Sequence, residues 1–263
     1  MNPYPAFLLR PFPEWEDSAM AAFTTRGLEG EASRPGPFDR LNLGFKSGGA
    51  PERVAENWRT TLSAAGLAGI PFAMPRMVHG DRLADIDALP PPAPRGEGLP
   101  AFEPEDCDAI CSSRPGCALV VTMADCLTAL ILDPEYGTIA AVHAGWRGTR
   151  ARILAKTFAS LTAAGRIRPA STWVAFGPCL RAQSLEVGDE VAAQLDPRFL
   201  IRREGRTCFD MPADNREQAL SAGIDPSHLR DLGGDTLGEP ERFFSYRRDG
   251  AASGRLAAFI CLR

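Results

Sequence analysis

Residues 117–149 read CALVVTMADCLTALILDPEYGTIAAVHAGWRGT, and this stretch decides how the chain is interpreted. It holds three short apolar runs, at 117–123, 127–132 and 138–143, each of strand length and set apart by turn-forming or polar residues. Parallel neighbours would need a crossover of about a dozen residues or more, usually a helix, and none is spelled out between Cys117 and His143. Adjacent antiparallel strands are therefore expected, and with helices elsewhere the class is α+β, not alternating βαβ. Further strands are predicted over 172–176 and 256–262.

Working outward, residues 50–67 place Val54, Trp58, Leu62 and Ala65 on one helical stripe, behind Gly48-Gly49 and with Pro51 in the first turn. A second helix is predicted over 149–164, where Ile153, Leu154, Phe158 and Leu161 supply the stripe and Gly165 the stop. Shorter helices are predicted over 188–195 and 213–222. Residues 89–104 hold Pro90, Pro91, Pro92, Pro94, Pro100 and Pro104 and resemble a linker. A length of 263 residues gives a prior near two domains, so this segment is either a boundary or a stiff surface loop.

The composition, 44% hydrophobic and 24% charged, is that of a globular protein and excludes extended disorder, a collagen repeat and a disulfide miniprotein. The longest uncharged stretch, residues 60–75, has 16 residues and is broken by Gly66, Gly69 and Pro71, too short to cross a bilayer. No basic start and apolar core of a secretory signal is visible in residues 1–14, so a cytoplasmic location is expected and no membrane partner. A net charge of −4 argues against nucleic acid, whose binding needs a basic face. With no coiled-coil pattern a monomer is expected. The seven cysteines form an odd set without a C-x-x-C pair, and most are expected to be reduced, buried and small-hydrophobe-like.

Histidine is scarce: the chain has only His79, His143 and His228. The segments Met77-Val78-His79-Gly80, Ala124-Asp125-Cys126-Leu127 and 142–149 each end or follow a predicted strand. Two imidazoles and one thiolate, His79, Cys126 and His143, make the ligand set of an open zinc site whose fourth position is left for water or substrate. Soft thiolate with imidazole suits zinc better than magnesium or calcium. The spacings are long, 47 and 17 residues, so buried structural Cys and His remain the competing reading.

These segments, together with Ala22-Phe23-Thr24-Thr25-Arg26-Gly27 and Leu41-Asn42-Leu43-Gly44, resemble the signature of the YfiH family, also known as the multicopper polyphenol oxidase (laccase) domain family. Gly177-Pro178-Cys179, Glu186-Val187-Gly188, Asn215-Arg216-Glu217-Gln218 and Phe243-Phe244-Ser245-Tyr246-Arg247-Arg248-Asp249 extend the likeness over nearly the whole chain. The resemblance implies one α+β domain of layered mixed β-sheets flanked by helices over residues 1–263, similar to the catalytic domain of cytotoxic necrotizing factor, with 89–104 as an internal loop. It implies zinc on His79, Cys126 and His143, and purine nucleoside phosphorylase activity with accompanying adenosine deaminase and methylthioadenosine phosphorylase activities. Met77 departs from the Gln usual at that position, which puts one polar contact near the site in doubt.

Phosphorolysis of a nucleoside needs an anion held, a sugar oriented and a leaving base stabilised. Arg147 and Arg26 are the candidates for phosphate, each with ion pairing as its other reading. Asn42 either hydrogen-bonds ribose or base, or shapes the turn ahead of Gly44. Asp125 either orients a ligand histidine through its second ring nitrogen or caps a turn. Trp146 either stacks on a purine or packs in the core, Cys179 is expected to be structural, and His228 to face solvent. A blue-copper centre alone would use two His and one Cys and leave only His228, too few for a multicopper cluster, although copper could substitute in the zinc site. Two other functions stay open. One is a Cys–His hydrolase or amidase with Cys126 as nucleophile and His143 or His79 as its base, acting on a peptidoglycan precursor, since some members of the family are described as peptidoglycan editing factors. The other is a metal-binding protein without catalysis.

Overall fold

Strands wetted on one face alternate apolar and polar residues, whereas runs such as Leu127–Asp133 do not, because here each central strand is covered on both faces. The computed structural model describes residues 5–27, 40–89 and 99–263. Its strands are β1 (Leu8–Leu9), β2 (Ala19–Thr24), β3 (Phe72–Ala73), β4 (Leu83–Asp85), β5 (Ala109–Ser112), β6 (Ala118–Met123) and β7 (Leu127–Asp133). They continue with β8 (Thr138–Ala144), β9 (Trp173–Phe176), β10 (Leu200–Arg203), β11 (Arg206–Phe209), β12 (Leu229–Asp231) and β13 (Leu256–Leu262). The helices are α1 (Pro51–Ala64), α2 (Trp146–Arg150), α3 (Ile153–Ala163), α4 (Asp189–Ala192), α5 (Met211–Ser221) and α6 (Tyr246–Asp249).

One sheet runs in the order β1-β2-β13-β6-β3 and the other β12-β9-β7-β8-β5-β4, with β10 and β11 forming a separate hairpin. Between the two sheets Phe23, Val121 and Ile260 meet Leu130, Ile139 and Ala175. On the far side of the first sheet lies α1, whose Trp58 stacks on Phe72 with ring centroids 4.8 Å apart. On the far side of the second, Ile131 and Val142 meet Leu154 and Phe158 of α3 and Ala219 of α5. The result is one mixed α+β domain in four layers, helix, sheet, sheet, helices.

Two expectations need correction. Strands β7 and β8 pair antiparallel as expected, but β6 pairs with β13 and β3 in the other sheet, so the chain changes sheets at residues 124–126. Asp125, at φ 92, is the left-handed residue that makes this crossing. Both sheets are mixed, as the family resemblance implies, with β3–β6, β4–β5 and β9–β12 parallel. Finally, the helix expected over 149–164 is two helices separated at Arg152, which has φ 62. The Thr149 carbonyl, which a continuous helix would offer to the N–H four residues on, accepts from the Arg152 N–H three residues on at 2.9 Å and from Gln218 Nε2 at 3.0 Å. Asn215 Nδ2 donates to Thr149 Oγ1 at 2.8 Å, so the Asn215–Gln218 motif is the clamp that holds this break.

The helix predicted over 188–195 shortens to α4, and α5 starts earlier than predicted because the Asp210 side chain caps it by accepting from Ala213 N–H. Of the proline-rich segment, residues 90–98 lie outside the described residues. Its far flank is tied beside β3 by Met74 N–H to the Phe102 carbonyl, 2.9 Å, and Arg76 N–H to the Pro104 carbonyl, 2.8 Å.

Candidate metal centre

The register of the second sheet assembles the site at one of its ends. Leu127 pairs with Ala144, so Cys126, just after the sheet crossing, lies across from Gly145. Ala109 pairs with Val142, and one step further His143 N–H donates to the Asp108 carbonyl at 2.7 Å. The Asp108 carboxylate accepts from the backbone N–H groups of Val78, His79 and Gly80 at 3.1, 2.9 and 2.8 Å. These bonds hold His79 in the left-handed region at φ 60. Three distant segments thereby converge, and the donor atoms of His79, Cys126 and His143 all lie within 4.8 Å of one another. The two imidazoles meet edge to face with centroids 4.9 Å apart.

Asp108 also lies 2.8 Å from His143 Nδ1 through Oδ1. This fixes the ring and leaves Nε2 for the site, as carboxylates behind metal-bound histidines do. Burial opposes its charge, yet the bonds from His143, Gly80 and Val78 hold its pKa below the ordinary carboxylate value. The carboxylate behind His143 is therefore Asp108, not Asp125. Asp125 accepts from Thr236 Oγ1 at 2.7 Å and Arg247 N–H at 2.6 Å, bracing the sheet crossing. Sequence reasoning missed Asp108 because only the β5–β8 register brings it to His143.

Burial also works against the charges of Cys126 and His143, but their mutual attraction and hydrogen bond prevail. Cys126 is lowered to about 6, and His143, with Asp108 behind it, is raised to about 9. A thiolate so stabilised is ready as a metal ligand or a nucleophile. The donor set and the bracing of His143 fit zinc, and Gly145 supplies the room. A Cβ there would come 2.9 Å from Cys126 Sγ and 3.2 Å from the His79 ring. Among the described residues, this is the one group of His, Cys, Asp or Glu side chains arranged to share an ion.

A family model described as multi-copper polyphenol oxidoreductase laccase matches residues 20–263. The chain belongs to this family. A protein of Deinococcus radiodurans named purine nucleoside phosphorylase is 36% identical over 245 residues, covering 92% of this chain and 88% of its own length. The Escherichia coli (strain K12) protein named purine nucleoside phosphorylase YfiH is 31% identical, over 95% of this chain and 97% of its own. The crystal structure of YlmD from Geobacillus stearothermophilus superposes with a TM-score of 0.84 at 28% identity, covering 97% of this chain and 96% of that one. Within this laccase-named family the present chain keeps its third histidine elsewhere: the His228 ring stacks on Trp173 at 4.2 Å, outside the group of three donors.

A cavity of about 470 Å³ opens on His79, Cys126 and His143. Trp146 and Asp125 are in its wall, as is Met77 at the position where relatives of this family were expected to carry Gln. Its arginines are Arg247 and Arg255. The structure places the other expected residues outside these walls. Arg147 is exposed and lies over the Trp146 ring at 4.4 Å, and Arg26 donates to the Pro240 carbonyl at 2.7 Å while covering Phe244. Asn42 is buried in its turn, where Oδ1 accepts from Gly44 N–H at 3.0 Å, Ser47 Oγ at 3.1 Å and Arg255 N–H at 2.9 Å. Cys179 is buried, and burial pushes its thiol up to about 12, the behaviour of a structural cysteine.

Proposed function

We propose that this protein is a zinc-dependent purine nucleoside phosphorylase, converting a nucleoside and phosphate to free base and ribose 1-phosphate, with adenosine deaminase as a side activity. Adenosine, inosine, guanosine and methylthioadenosine form the substrate class. The observation that carries the reading is a cavity of nucleoside size opening on a His–Cys–His donor group, in a chain whose long-range relatives bear the phosphorylase name.

His79, Cys126 and His143 would hold the metal. Zinc bound there would supply Lewis acidity and lower the pKa of coordinated water. The chain's own residues do the rest. Asp108 holds His143 in orientation and Gly145 keeps the donors free of a side chain. Tyr246, 53% exposed in the cavity wall, offers a ring face to a purine. A phosphate oxygen bonds to C1′ as the C1′–N9 bond breaks. The electron pair goes to the purine, whose nitrogen takes the proton that the phosphate gives up.

The test follows free base from adenosine or inosine with zinc-loaded protein, with and without phosphate and after chelation. Release that requires both phosphate and metal supports the reading, and release indifferent to phosphate overturns it. A second reading has its own observation. Cys126, His143 and Asp108 stand in the order nucleophile, base and orienting carboxylate, the arrangement of a cysteine hydrolase or amidase. Such an enzyme would stay active after chelation and be killed by thiol alkylation.

A further inference from the structure

The cavity at the metal centre has a neighbour. A second cleft, of about 390 Å³, shares Met77, Thr122 and Arg255 with it, so these three side chains form the divide between the two. Arg255 is half-buried at the head of β13. Its Nη1 donates to the carbonyls of Ser253 and Gly254 at 2.8 and 3.0 Å and its Cζ lies over the Tyr246 ring at 5.7 Å, while Nε and Nη2 have no hydrogen-bond acceptor among the described residues. Of the other arginines bounding the two cavities, Arg76 pairs with Asp106 and Glu105, while Arg247, whose guanidinium like that of Arg255 donates to a backbone carbonyl, that of Glu186, is exposed where Arg255 is half-buried.

The Leu41-Asn42-Leu43-Gly44 segment, which has no contact with the metal cavity, is built around Arg255. Asn42 Oδ1 accepts from Arg255 N–H at 2.9 Å, and Leu43 N–H donates to the Arg255 carbonyl at 3.0 Å. Gly44 packs so closely on the side chain that a Cβ would lie 2.5 Å from Arg255 Cγ. A guanidinium gripped at its backbone and stem, with its free N–H groups on a cavity and no carboxylate paired to it, is preorganised to bind an anion.

We propose that Arg255 is the phosphate-binding residue and that phosphate reaches it from the second cleft, while the nucleoside occupies the metal cavity. Exposed Lys46, on the wall of that cleft, adds a second cation along the approach, on a wall that also carries Glu103 and the Arg76-paired Glu105. The two reactants then meet across the divide that Arg255 forms with Met77 and Thr122. This inference rests on the phosphorylase reading for its chemistry, but the anion site can be tested without turnover.

The experiment compares the zinc-loaded wild type with Arg255→Gln, Arg255→Lys and Arg147→Gln, measuring KM for phosphate and for adenosine separately. Binding of inorganic phosphate alone is followed by ³¹P NMR line broadening. Arg255→Gln is expected to raise KM for phosphate by at least about tenfold, with KM for adenosine changed less than about twofold. Arg255→Lys, which keeps the charge but not the fork, should fall between, and it carries the test if the glutamine variant does not fold. Unchanged phosphate KM, both KM values moving together, or the effect appearing in Arg147→Gln instead would overturn the proposal. If the wild type releases no base, the NMR arm decides. Broadening lost with Arg255→Gln keeps the anion site while the phosphorylase reading falls, and broadening that persists overturns the site.

Discussion

Asp108 and His143 are joined twice, through Oδ1 and Nδ1 at 2.8 Å and through the Asp108 carbonyl and the His143 N–H at 2.7 Å. The same carboxylate gathers the N–H groups of residues 78–80, so a single side chain sets the ring of one donor histidine and the backbone of the other. Asp108→Asn keeps the shape but replaces an oxygen with a donor that faces other donors. Zinc affinity is expected to fall about 10–100-fold, measured by competition with a chromophoric chelator.

Gly145→Ala tests the room around the donors. The new methyl group would stand 2.9 Å from Cys126 Sγ, so the thiolate must move or the β7–β8 end must open. The φ of −65° is one that alanine adopts freely, so backbone strain is not the cause of any defect. The expected outcome is loss of stoichiometric zinc by elemental analysis, in a protein that still melts cooperatively.

In chelator-treated protein, Cys126 should react with iodoacetamide as an acid-stabilised thiolate. Its ordinary value is 9.0 and it is lowered to about 6, so the thiolate is lost only as pH falls through about 6. The alkylation rate should rise between pH 5 and 7 and level off, where an unperturbed thiol would keep gaining beyond pH 8. Zinc should block the reaction. Asp108→Asn should move the midpoint upward, because the imidazolium of His143 loses its carboxylate and holds the thiolate less well. A midpoint above 8 in the wild type would contradict the charge pairing.

Trp58→Ala probes the helix on the first sheet. Trp58 is fully buried, stacks on Phe72 and donates from Nε1 to the Leu43 carbonyl at 3.0 Å. Truncation is expected to destabilise by about 3–5 kcal/mol in urea unfolding. Leu43 leads directly to the Asn42–Gly44 clamp on Arg255, so a rise in phosphate KM should accompany the lost stability.

Much of the framework was legible locally. The stripe through Val54, Trp58 and Leu62 predicted α1 to within a turn, and the runs at 127–132 and 138–143 predicted the β7–β8 pair, because both patterns are short-range consequences of burial. The donor residues were legible for another reason: with three histidines in the chain, few imidazole sites could be written at all. The break at Arg152 was not legible, since one of the two donors that hold the Thr149 carbonyl there is Gln218, 69 residues away.

Residue chemistry and local periodicity determined that there would be apolar strands, an amphipathic helix and a thiolate with two imidazoles to work with. Which sheet each strand joins was decided only by packing, because strands covered on both faces carry no alternation to show which neighbour they face. The same is true of Asp108 and Arg255. Their roles arise from the β5–β8 register and from the turn at Asn42, which bring together groups that the chain keeps far apart.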